Sequence, residues 1–147
     1  MADNLVDRGI TKAEDRAPAT LGAADANGIH VPRVIPGGNA TARLLSAAAS
    51  TNGTSVKASP GAVFSLVGYC AAASAVYLKL YDKASAPTVG TDTPVETIRL
   101  HPSTSFDLSV NRNFSTGIAY AITGAAADAD TTALTAGDVL CLNIRYL

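Results

Sequence analysis

From residue 42 onward, large apolar side chains tend to recur at every second position. Val76, Leu78 and Leu80 alternate with Tyr77, Lys79 and Tyr81, and Ile98 and Leu100 alternate with Thr97, Arg99 and His101. Phe106, Leu108 and Val110 alternate with Asp107, Ser109 and Asn111. Ile118, Tyr120 and Ile122 alternate with small residues, and Leu140, Leu142 and Ile144 with Cys141, Asn143 and Arg145. A period of two is that of a strand with one face towards a core. Residues 62–70 are apolar on both faces, as a central strand would be. Residues 42–50 are a weaker strand candidate, since their alanines suit a helix equally well. Turn chemistry separates the runs at Asn52-Gly53, Pro60-Gly61, Pro87 to Pro94, His101-Pro102, Gly124 and Ala136-Gly137-Asp138. The pattern predicts an all-β domain over residues 41–147, an antiparallel β-sandwich or jelly roll of seven to eight strands.

Residues 1–40 read differently. All eight aromatics of the chain lie after residue 63, and the large aliphatics of the first forty residues are scattered. Such a segment buries too little area alone to offset its ordering entropy. His30-Val31-Pro32-Arg33-Val34-Ile35-Pro36 is expected to be extended, because each proline biases its predecessor away from helix. We read 1–40 as an extended N-terminal arm, with Val31, Val34 and Ile35 as the cluster that docks on a partner.

Composition narrows the chemistry. The 147 residues include 28 alanines, 12 glycines and no tryptophan, so the core of the sandwich is thin and self-association is its natural supplement. A formal charge of −1 offers no positive field for nucleic acid or an anionic membrane. No run approaches the roughly 20 apolar residues of a spanning helix, and the first residues lack the basic and apolar regions of a secretory signal. The two histidines and two cysteines have no zinc spacing, and no phosphate loop or nucleophile elbow occurs. An enzyme is not expected, nor is a cofactor. Asp128, Asp130 and Asp138 in one polar loop are a weak calcium candidate lacking the EF-hand glycine and distal glutamate. Strand parity places Cys70 inward beside Phe64 and Leu66, and Cys141 on the opposite face from Leu140, Leu142 and Ile144. This leaves a reduced pair or an inter-subunit disulfide through Cys141; a bulge at Gly68 would instead allow an intramolecular bond.

Residues 55–61 (Ser-Val-Lys-Ala-Ser-Pro-Gly) and 77–94 (from Tyr-Leu-Lys-Leu-Tyr-Asp-Lys to Gly-Thr-Asp-Thr-Pro) resemble small virion structural proteins of tailed bacteriophages. The segments Phe114 to Tyr120, Asp128 to Ala133 and Ala136 to Val139 extend the resemblance, which covers about residues 50–147. It implies a structural protein of the virion, made in the bacterial cytoplasm. Within that class we expect a capsid decoration (cement) protein on the outer capsid surface, bridging major capsid protein subunits. A homotrimer would suit the local threefold positions of a capsid lattice. The alternative is a receptor- or carbohydrate-binding module of a tail, collar or head fibre. In it, Tyr77 and Tyr81 would face outward beside Lys79 and Lys83 and stack on sugar rings. A head–tail connector, a third reading, would require a ring of fixed stoichiometry.

Overall fold

The computed structural model of the protein describes residues 40–147, so the arm expectation and its cluster Val31, Val34 and Ile35 lie outside the described residues. Eight strands follow one another: β1 (Ala40–Ser46), β2 (Thr54–Lys57), β3 (Gly61–Cys70), β4 (Val76–Asp82), β5 (Glu96–Leu100), β6 (Thr104–Phe114), β7 (Ile118–Thr123) and β8 (Val139–Tyr146). They form two antiparallel four-stranded sheets, ordered β1-β8-β3-β6 and β2-β7-β4-β5. Within these orders β1 pairs with β8, β2 with β7, β3 with β6 and β4 with β5. The chain is therefore one long double ribbon, β1 to β4 against β8 to β5, rolled so that β8 meets β3 and β7 meets β4. That winding is the jelly roll.

One core lies between the sheets. Val63, Leu66 and Cys70 of β3 and Leu142 and Ile144 of β8 meet Leu78 and Leu80 of β4 and Ile118, Tyr120 and Ile122 of β7. The alternation read from β4, β6 and β7 supplies these inward faces as expected. On β8 the inward set is Val139, Leu142 and Ile144, while Leu140 is only half-buried. The cause is an extra residue in β8 against β3, where Val67 pairs with Asn143 and Tyr69 with Leu140. Cys141 takes up the extra length in a left-handed conformation (φ 52°), and a bulge of this kind switches strand parity. The bulge thus lies in β8, opposite the Gly68 region. A second irregularity between Val63 and Ser65 turns Val63 inward and leaves Phe64 only half-buried.

Candidate functional site

The expected outward row on β4 is the largest correction. Lys79 is fully buried and Tyr81 is 1% exposed; only Tyr77, half-buried, keeps part of its surface. Two alanines of β7 make the space: Ala119 pairs with Tyr81 and Ala121 with Lys79, and neither has a side chain beyond Cβ. The β4–β5 loop, residues 83–95, and the β7–β8 loop, residues 124–138, then cover this face. Val89 packs on the Tyr81–Ala119–Ala121 cluster, and the Lys79 ammonium donates to the Ala127 carbonyl. At Gly90 (φ 89°) the first loop approaches the second so closely that a Cβ would lie 2.5 Å from Thr131 Cγ2. The Tyr81 hydroxyl is buried without a hydrogen-bond partner among the described residues. Burial pushes that phenol up, with the Asp92 and Asp128 charges adding to the effect. A face closed in this way offers no ring for sugar stacking at Tyr81.

The aspartates serve as loop ties. Asp82, at the end of β4, accepts hydrogen bonds from the Ser115 hydroxyl (2.7 Å) and from the N–H groups of Ser115, Thr116 and Gly117 at 3.0, 2.7 and 3.2 Å. Three successive N–H groups around one carboxylate form an anion nest. The Ser115 hydroxyl contributes most to holding Asp82 well below the usual carboxylate range; burial opposes it and the backbone donors add to it. Asp92 pairs with Lys83 and accepts from the Thr88 N–H, and these two partners keep its carboxyl low. Nothing in the sequence pattern singled out Asp82. Its partners lie more than 30 positions away, at residues 115–117, which the turn signals of the sequence did not include.

Asp128, Asp130 and Asp138 do not converge. Asp130 accepts from Ala125 N–H and the Thr132 hydroxyl, while Asp138 accepts from Thr135 N–H. Among the described residues no group of three or more His, Cys, Asp or Glu side chains is placed to hold a metal ion. Cys70 and Cys141 are both free: Cys70 is buried in the core and Cys141 exposed at the β8 bulge, so no bond joins them within the chain. Burial pushes the Cys70 thiol up, against a hydrogen bond from the Ala72 backbone. His101 is exposed just beyond β5. Also among the described residues, no helix is long and apolar enough to cross a membrane.

The fold defines the class of protein, an eight-stranded jelly roll whose polar side chains bind its own loops. No family model, curated protein or solved structure matches the chain.

Proposed function

We propose that this chain is a structural component of a tailed-phage virion, a capsid decoration protein that bridges and stabilises major capsid subunits. The observation that carries the reading is where the polar groups of the jelly roll are spent. Lys79 and Asp82 of β4 each tie a distant loop to the sandwich, while the Lys83–Asp92 pair and Asp130 brace the two covering loops from within. A domain that uses its charges to stiffen itself suits a mechanical task. The resemblance of residues 50–147 to virion structural proteins supports the same reading. In it, the segment holding Val31, Val34 and Ile35 docks on neighbouring capsid subunits, and many copies of modest contact area act together. The chain sits on the outer capsid surface, and its work needs neither catalysis nor a cofactor. The fibre-borne glycan module loses its main argument with the burial of Tyr81 and Lys79.

The test is immunogold labelling of virions with an antibody to this chain, combined with heat challenge of particles lacking it. Label over the capsid shell, and genome release at a lower temperature without the protein, are expected. Label confined to fibres or collar, with shell resilience unchanged, would overturn the reading.

A further inference from the structure

A jelly roll has four edge strands, and here three of them are blunted. β2 is four residues long, irregular in register and ends on Lys57. β5 is five residues long and carries Glu96 and Arg99, while β1 carries Arg43 at its centre. Short length, charge and bulges are the usual means of protecting an edge. β6 differs. Among the described residues it pairs only with β3; it runs for eleven residues, contains neither proline nor lysine, and keeps a regular register with β3 from Thr104 to Ser109. That regular part carries a single charge at Asp107; beyond it the register shifts, Asn111 turns left-handed (φ 49°) and Arg112 follows, so the protection is confined to the far end of the strand.

The core is also incomplete along this edge. Phe106, Leu108 and Val110 point towards the core cluster yet remain only half-buried. A cleft of about 280 Å³ opens beside them, lined by Leu100, His101, Phe106 and Leu108 among others. An additional strand beside β6 would cover these side chains and pair its free N–H and C=O groups.

The sequence of β6 selects the occupant. When two copies pair antiparallel about Leu108, Phe106 of each stands opposite Val110 of the other and Leu108 opposite Leu108. Asp107 then faces Ser109, so no like charges meet. Centring on Asp107 would oppose two carboxylates, and centring on Ser109 would set Phe106 against Arg112. A slip of one residue would put apolar positions on the wrong face. We propose that β6 is the docking edge for a second copy of this chain, pairing antiparallel across a two-fold axis at Leu108 and joining two four-stranded sheets into one of eight. The contact is isologous and closes as a dimer, in place of the three-fold association that lattice geometry suggests. It rests on β6 alone and is independent of the virion reading.

Light scattering of the full-length chain over a concentration series is expected to approach twice the 14.9 kDa chain mass. Directly opposed residues of an antiparallel pair lie about 4.5–5.5 Å apart at Cα, within disulfide reach. Leu108→Cys in a Cys141→Ser background is therefore expected to give a disulfide-linked dimer under mild oxidation, at least tenfold faster than Leu45→Cys on β1. Leu108→Lys, with an unchanged circular dichroism spectrum, is expected to be monomeric. Should that variant misfold, the cysteine pair decides alone. A wild-type monomer at every concentration, a trimer mass, or equal cross-linking at positions 108 and 45 would each overturn the proposal; in the first case the edge belongs to another protein's strand.

Discussion

At the scale of single residues, the polar groups of the jelly roll fall into well-satisfied and poorly satisfied sets, and the two respond oppositely to substitution. Asp82 fills an anion nest with four hydrogen bonds. Asp82→Asn keeps the shape but sets an amide N–H₂ against N–H donors, so a loss of about 1–3 kcal/mol is expected in urea unfolding. Tyr81 is the reverse case, a buried hydroxyl with no partner among the described residues. Tyr81→Phe removes the cost of that group and keeps the ring on Ala119 and Ala121. It is expected to raise the unfolding midpoint, by roughly 0.5–1.5 kcal/mol in free energy. The cysteines give a third test. A thiol reagent is expected to label one cysteine per native chain, Cys141, and the second only after unfolding, because Cys70 is buried. Fast labelling of both would contradict the placement of Cys70.

At the scale of elements, the loops fix which faces of the strands are wet. The 115–117 turn is seated by Asp82 and by the absence of a side chain at Gly117. A Cβ there would lie 2.7 Å from both Ala84 Cα and Lys57 O. Both atoms are backbone, so Gly117→Ala is expected to cost about 1–3 kcal/mol, measured by thermal unfolding. The strands themselves were largely legible, because side-chain alternation is a local property of the chain. β4, β6 and β7 show it plainly in Val76-Leu78-Leu80, Phe106-Leu108-Val110 and Ile118-Tyr120-Ile122. Parity on β8 was not legible. The bulge at Cys141 arises from mismatch with β3, and nothing in Val-Leu-Cys-Leu announces a non-glycine residue at φ 52°.

At the scale of the whole molecule, stability is tied to carboxylates held low in the folded state. The Ser115 hydroxyl and the turn N–H groups lower Asp82; Lys83 and Thr88 lower Asp92. For Asp130, burial is outweighed by hydrogen bonds, foremost that from Thr132. A carboxyl depressed on folding stabilises fully above its unfolded value of about 3.9, and that stabilisation is lost as pH falls towards the folded value. Unfolding free energy is therefore expected to decline below about pH 4, and less steeply in Asp82→Asn. A pH-independent profile in urea titrations at pH 3 and pH 6 would contradict these ties. The same molecule leaves one long edge, β6, where a second copy completes the cover of Phe106, Leu108 and Val110.

The sequence by itself determined the class: a period of two interrupted by turn residues admits antiparallel sheets packed face to face and little else. It also located the alternation of β6 and the inward faces of β4 and β7, while the edge position of β6 came from the sheet order. Only the tertiary structure decided what those sheets expose. Lys79 and Tyr81 alternate as outward residues should, and they do leave the sandwich core; they are buried by loops instead. The cover on Lys79 comes from Ala127, 48 positions away, and the partner of Asp82 from Ser115, 33 positions away. Periodicity reports which side of a strand a residue takes, a fact fixed by neighbouring dihedral angles. What covers that side depends on where distant loops close, and the rolled ribbon sets this.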